Sequence, residues 1–391
     1  MCLKANNYHL ILCMLFFMLL SWGCQSAQKS VENEEGKLLA SVAISYAEGF
    51  SIDYFADYTK VIIHNPWTNE KKPYAVYYLC KSDSILTPTE GTKLKIPLSS
   101  LAVNTFTYFE FLRLLEEPGV IKGVTDGFRI YNPAILQKIE TREIIDLGDP
   151  FNPNVERTMS LMPQAIINSA YAQQDSYSER LLQAGFPIIY SLEWMETSPL
   201  ARAEWIKMIA AFFDKEAAAD SIFRTIEQRY LALQVLTKNV SPHHTVMAGD
   251  NFQGTWYVPG GKSFNASLFR DAGLDYRYKN NHESGSIGLD VESVLTQFGK
   301  AAFWVGCEAD TYGELAEKDA KYLLLESVKK RQVFNNHNRI TASGGNDYFE
   351  SAIAHPDLIL SDLIKATHPQ LLPDYSFTYI KPLEESPARE K

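Results

Sequence analysis

Cysteine is scarce in this chain, positive charge is in deficit, and long apolar runs are missing beyond the N-terminus. Three of the five cysteines fall within the first 24 residues, which leaves Cys80 and Cys307 for the body of the protein. Two isolated cysteines make neither a disulfide framework nor a metal-binding spacing, so both read as unpaired core residues. The formal net charge of −10, without a basic stripe, excludes a nucleic-acid partner. After residue 25 nothing approaches the roughly 18 continuous apolar residues of a membrane span. The histidines are scattered with no His-x-x-x-His or Cys-x-x-Cys pair, so no metal site is expected. A nucleophile elbow is missing too, because Ser284-Gly285-Ser286-Ile287-Gly288 lacks its leading glycine.

What is present is the composition of a globular protein, 46% hydrophobic and 21% charged, at a length that suits two domains. The first residues differ from the rest. Lys4 and the apolar stretch from Leu10 to Leu20 read as a signal peptide over residues 1–23. Ser21 and Gly23 precede Cys24, a pattern similar to a lipoprotein cleavage site, with Trp22 as a departure from it. Cys24 is therefore the expected lipidation site, and the polar residues 24–38 read as a flexible tether.

Residues 39–80 alternate apolar and polar side chains, as in Val61-Ile62-Ile63-His64, with breaks at Asn65-Pro66-Trp67 and Lys71-Lys72-Pro73. They read as an extra N-terminal antiparallel strand set. From Leu94–Leu98 onward the pattern changes to strands alternating with helices, the mark of an α/β lobe ending near residue 197. Ser198-Pro199 opens a helical connector over 198–238, a hydroxyl cap followed by proline at the first helical position. Its second helix, over about 215–238, would be about 36 Å long and could span two lobes. A second α/β lobe follows over 239–385.

One segment recurs in both lobes. Asn154-Val155-Glu156 and Asp290-Val291-Glu292 each place an N-capping side chain before an apolar stripe: Val155, Met159 and Met162 in the first, Val291, Leu295 and Phe298 in the second. A proline or glycine then stops the helix and a buried strand begins. The shared glutamate in the first turn complements the helix dipole, which alone would account for it. Its recurrence in a tethered, two-lobed chain is what that account leaves out.

These features together resemble the solute-binding lipoproteins of ABC importers for ferric siderophores, haem or cobalamin, whose two lobes share a helical backbone. The resemblance covers roughly residues 90–370. It rests on Asn154-Val155-Glu156-Arg157, Pro163-Gln164-Ala165-Ile166-Ile167, Pro259-Gly260-Gly261-Lys262-Ser263-Phe264 and Asp290-Val291-Glu292, with Glu196-Thr197-Ser198-Pro199-Leu200 and Gly344-Gly345-Asn346-Asp347-Tyr348 in support. It implies a monomer that holds a metal chelate between its lobes, with no cofactor or metal of its own and no catalysis. Its partners would be the membrane, through the lipid, and a permease dimer whose arginines receive Glu156 and Glu292. The location implied is periplasmic, on the inner membrane. The stiff connector implies only a small rotation of the lobes.

Ligand contacts are expected in loops at the carboxyl ends of strands, where open α/β sheets bind. The candidates are Thr105, Phe106, Tyr171, Glu193, Trp194, Phe252, Trp256, Tyr257, Asp347 and Tyr348, with Ser99, Ser100, Gln173, Glu196 and Asp250 beside them. Aromatic side chains suit a large planar or catecholate ligand, since they offer wide contact with few torsions to freeze. No arginine cluster for an anionic ligand stands out. The alternative is a secreted α/β hydrolase or a nucleotide-dependent enzyme using Gly260-Gly261-Lys262-Ser263. That turn fails the phosphate-loop spacing, because the earlier glycine position is Trp256.

Overall fold

The computed structural model describes residues 36–68, 72–241 and 243–385. The signal peptide, Cys24 and most of the tether lie outside the described residues. No described helix is long and apolar enough to cross a membrane.

Three five-stranded sheets organise the chain. The first is β1 (Leu38–Ser41), β2 (Phe50–Phe55), β3 (Tyr58–Ile63), β4 (Ala75–Cys80) and β5 (Thr92–Lys95), paired in that order. β1 to β4 are antiparallel, but β5 joins β4 in parallel. This corrects the sequence reading. The run at Leu94–Leu98 closes the N-terminal set, and the first strand of the α/β lobe is the fully buried Leu101–Val103. A three-residue strand buried on every side carries no alternation, which is why its pattern is not visible.

The second sheet has the order β10-β9-β6-β7-β8 and is parallel throughout. It comprises β6 (Leu101–Val103), β7 (Ile121–Val124), β8 (Ile145–Asp146), β9 (Ala165–Ser169) and β10 (Ile188–Ser191). The third has the order β14-β11-β16-β17-β18, built from β11 (His244–Ala248), β14 (Leu274–Tyr276), β16 (Phe303–Cys307), β17 (Val333–Asn335) and an antiparallel edge β18 (Lys381–Pro382). A small antiparallel sheet of β12 (Asn251–Phe252), β13 (Thr255–Pro259) and β15 (Ser286–Leu289) lies beside it in sequence. Cys80 and Cys307 are buried and unpaired.

Two helices join the halves. Pro199–Ala211 starts at Ser198, whose hydroxyl accepts the N–H of Ala201. Of its 13 residues only Arg202 is not buried. A helix apolar almost all round must lie inside the protein, and this one contributes Leu200 to the second core and Ala203 to Ala211 to the first. Glu216–Thr237, about 33 Å long, also belongs to both: Ala219 and Phe223 sit in the first core and Tyr230 in the second. The Tyr230 hydroxyl donates to Asp271 at 2.7 Å.

The N-terminal sheet shares the core of the first α/β sheet, to which Phe50, Ile52, Val61, Ile63, Tyr77 and Leu79 all contribute. Its loop before β2 is held by two buried carboxylates. Glu204 accepts the N–H groups of Ser45, Tyr46 and Ala47 at 2.8–3.1 Å and the Lys207 ammonium at 2.9 Å. Glu196 accepts from the N–H groups of Glu48 and Gly49 and from the Trp205 indole. Replacing Glu204 by Ala leaves three part-buried backbone donors and the buried Lys207 ammonium without this acceptor. A loss of about 3–5 kcal/mol is expected in urea unfolding, and a loss below about 1 kcal/mol would show that the carboxylate does not hold the loop.

Candidate functional site

A cavity of about 520 Å³ opens where Trp194, on the turn after β10, meets residues of the second α/β half. Its wall is aromatic: Trp194, Tyr257, Phe264, Phe269, Tyr348 and Phe349. Ile359, Leu363 and Ile380 add aliphatic surface, and Glu308 is its charged lining residue among those described. This size and balance are those of a pocket for one small molecule. Gly249 is part of the wall. It has φ of +84°, and a Cβ there would lie 1.8 Å from the Tyr257 carbonyl oxygen, so only glycine fits.

The candidates named from sequence divide sharply. Trp194 (38% exposed), Tyr257 (45% exposed) and Tyr348 line the cavity. Tyr171 lies next to it, its ring 5.9 Å from that of Trp194. Phe252 is exposed but not part of the wall. Thr105 and Phe106 lead into the helix Thr107–Leu114, where the Thr105 hydroxyl meets that of Thr107 and the Phe106 ring packs on Phe109.

Three candidates are corrected by burial. Trp256 is fully buried and its indole donates to the Ala248 carbonyl, so it is a core residue. Glu193 is 2% exposed and its carboxylate accepts from Ser191, Thr107 and Tyr108 inside the protein. Asp347 is buried beside Arg339 at 3.0 Å and lines a second cavity. Ser99 and Ser100 precede β6 and so lie at the opposite end of the strand from the cleft, where the Ser99 N–H and hydroxyl donate to Gln164.

Sequence reasoning missed Phe264, Phe269 and Phe349, because helices rather than strand ends carry them. It also missed the contribution of the N-terminal sheet. The connection between β3 and β4 brings the Trp67 ring within 6.3 Å of Trp194, and the Tyr74 hydroxyl donates to the Tyr171 carbonyl.

The Gly260-Gly261-Lys262-Ser263 turn is filled by its own chain. A Cβ at either glycine would collide with carbonyl oxygens of the 278–285 loop, at 2.3 Å for Gly260 and 2.2 Å for Gly261. The Lys262 N–H donates to the Glu283 carbonyl, and the Ser263 hydroxyl donates to that of Gly260 and accepts the N–H of Ala266. The glycines thus allow close backbone packing and the serine caps the helix Phe264–Asp271. No phosphate cradle remains.

Glu156 and Glu292 occupy the first turns of Val155–Ser160 and Val291–Phe298, capped by Asn154 and Asp290. Both are exposed, and each meets one exposed cation at 2.7 Å, Arg180 and Lys321 respectively. Glu156 titrates below the ordinary range because of its own backbone N–H and then Arg180; for Glu292 the Lys321 hydrogen bond comes first. The two segments are less alike than their sequences. The first helix stops at Ser160, and Met162, with φ of +48°, is turned outward and 74% exposed. Its expected place in a buried stripe is therefore wrong, whereas Phe298 is buried as expected.

The second cavity, about 380 Å³, is polar and crosses between the halves. There the Glu350 carboxylate accepts the N–H groups of Tyr131 and Asn132, and His355 meets Glu110 at 2.5 Å.

Comparison with known proteins places this arrangement. The family model described as periplasmic binding protein matches residues 122–339. An uncharacterized lipoprotein of Methanocaldococcus jannaschii is 25% identical over 92% of both chains. Among solved structures, a periplasmic heme binding protein from Pseudomonas aeruginosa aligns with 73% of this chain and 98% of its own, with a TM-score of 0.56 and 13% identity. A periplasmic vitamin B12 binding protein of Vibrio cholerae aligns with 69% of this chain and 97% of its own, with a TM-score of 0.52 and 13% identity. At such identities the likeness is one of fold.

Burial pushes the Glu350 carboxyl up to about 7, against 4.5 for an ordinary glutamate. Between those values the folded protein holds a proton that the unfolded chain has released, so this group's contribution to stability falls as pH rises. Glu350→Gln mimics the protonated form. The stability of the wild type relative to this variant should drop by about 3 kcal/mol between pH 4.5 and 7, read by urea unfolding across that range. Parallel curves for the two proteins would show that Glu350 is ionised throughout.

Proposed function

The chain belongs to the periplasmic binding protein family, and from that premise we propose that it is an extracytoplasmic, lipid-tethered receptor. It captures a metal chelate (a ferric siderophore, haem or cobalamin) between its lobes and delivers it to an ABC permease on the inner membrane. The observation that carries this reading is the aromatic-walled cavity of about 520 Å³ bounded by Trp194 from one half and Tyr257, Phe264 and Tyr348 from the other. Rigid aromatic surfaces hold a large flat ligand at small entropic cost. The enzymatic alternative has less to work with, since its phosphate-loop turn is packed shut.

Glu156 and Glu292 are the docking carboxylates in this reading. An exposed ion pair with Arg180 or Lys321 is weak, so either glutamate can exchange its cation for a permease guanidinium in bidentate geometry, which fixes register as well as attraction. Lipid attachment at Cys24 supplies the tether, and the receptor acts as a monomer.

Two outcomes are expected. Titration with haemin, a ferric catecholate siderophore and cyanocobalamin should give a saturable change in tryptophan fluorescence with at least one of them, diminished in Trp194→Phe; no saturable change with any would end the chelate reading. Changing Glu156 and Glu292 together to Ala should abolish stimulated uptake and complex formation with the permease while leaving ligand affinity intact. Unchanged uptake would remove the docking role.

A further inference from the structure

Arg202 stands apart from every other residue of the helix Pro199–Ala211. All twelve others are buried, and the two other charged ones, Glu204 and Lys207, pair with each other at 2.9 Å. Arg202 is partly exposed, its Nε is buried without a hydrogen-bond partner, and among the described residues its guanidinium has no ion pair. Its one side-chain contact with an identified partner is over the Phe264 ring, with Cζ 4.0 Å from the ring centroid.

The surroundings do not supply the missing acceptor. Glu193, Tyr348 and Glu196 are the titratable groups that face it. The Glu193 carboxylate is engaged by Ser191, Thr107 and Tyr108, and that of Glu196 by two backbone N–H groups and the Trp205 indole. Both attract Arg202 at longer range, yet neither accepts one of its protons. A guanidinium offers five donors in a fixed fork, and leaving them unmade in a partly buried place is costly. Burial also pulls its pKa below the ordinary arginine value, although the group stays charged across physiological pH.

Position tells where the acceptor would come from. Phe264, on which Arg202 lies, lines the large cavity, as do Tyr348 and the Trp194 that adjoins Glu193 in sequence. We infer that Arg202, packed behind the Phe264 wall and not itself one of the lining residues, is the cation that recognises the ligand's charge, and that the ligand carries an anionic oxygen group, a carboxylate or an equivalent chelate oxygen, which its guanidinium receives while Phe264 holds the fork in place. This rests on the receptor reading and narrows it: a chelate with peripheral carboxylates or net negative charge is favoured over a neutral one. Sequence alone points away from this, because a lone arginine in a helix, without a cluster, looks like any surface charge.

The test uses the full chain and Arg202→Gln and Arg202→Lys, with two kinds of probe. In the first arm citrate, a small tricarboxylate, is titrated against thermal unfolding. Excluded anions stabilise any protein to some degree, so the reading is the difference between wild type and variant. Citrate should raise the wild-type melting temperature more than that of Arg202→Gln, with saturation, and Arg202→Lys should recover part of the difference. Equal shifts in all three proteins would overturn the assignment. In the second arm haemin, a dicarboxylate, and cyanocobalamin, whose periphery is mainly amide, are titrated by tryptophan fluorescence. Arg202→Gln should weaken haemin at least about tenfold, the worth of one charge-assisted hydrogen bond, and leave any cyanocobalamin binding unchanged. Equal haemin affinity in wild type and Arg202→Gln, or tighter binding of cyanocobalamin than of haemin by the wild type, would also overturn it. If neither chelate binds but the citrate difference persists, the chelate-receptor reading fails and the role of Arg202 stands. If chelates bind equally to both proteins and citrate does not discriminate, the converse holds.

Discussion

The helix Pro199–Ala211 is the constraint from which the rest of the fold hangs. It is buried along twelve of its thirteen positions and contributes to both hydrophobic cores, so neither half can settle without it. An apolar helix needs no polar partner, but this one carries Glu204 in the fully buried part. Removing a carboxylate from water is expensive unless every lone pair is used, and the loop at Ser45–Ala47 uses them. Glu196, just before the helix, does the same for Glu48 and Gly49. The N-terminal sheet is therefore not an appendage attached by chance contacts. Its entry loop completes the solvation of two acids that the connector would otherwise strand, and Tyr77 seals the join by donating to the Ile188 carbonyl and accepting the Tyr190 N–H.

That attachment changes the cleft. The turn carrying Trp194 follows β10 directly, and Trp67 and Tyr74 from the N-terminal sheet pack on Trp194 and Tyr190. Aromatic residues at a cleft rim swing unless something holds them, and here the added sheet does so. The cavity wall thus depends on three parts of the chain: the N-terminal sheet as backing, the turn after β10, and the helices and loops of the second half.

How much of this was legible in the sequence depends on periodicity. The capped helix starts at Ser198, Asn154 and Asp290 were visible because a side-chain oxygen before an apolar stripe has a local mechanism. The alternating N-terminal strands were visible for the same reason. The strand Leu101–Val103 was not, since three consecutive buried residues carry no period. The site was legible only in part. Trp194 follows the rule that ligands sit at strand ends, whereas Tyr257 lines the cavity from within β13 and Tyr348 from the helix Asp347–Glu350, and Trp256, Glu193 and Asp347 are buried by tertiary packing. Alternation along β13 decides between Trp256 and Tyr257, adjacent aromatics of which one points into the core and the other into the cleft. A register of one residue cannot be read without the partner strand. Met162 was misjudged because the helix ends two residues earlier than its stripe.

The same geometry bears on how such a molecule could release what it holds. Both joining helices enter both cores, and Glu350 ties its backbone partners Tyr131 and Asn132 across the second cavity while His355 ties Glu110. A wide hinge motion would have to pull packed side chains such as Leu200 and Tyr230 out of one core or break these buried polar links, and close-packed cores do not deform gradually. A small rotation about the helices costs far less. Opening would then require force from outside the protein, applied at points rigidly joined to each half. Exposed carboxylates in the capped first turns of Val155–Ser160 and Val291–Phe298, each followed after a short turn by an interior strand of its sheet, meet that mechanical requirement: a pull on either glutamate is carried by a capped helix toward β9 or β16.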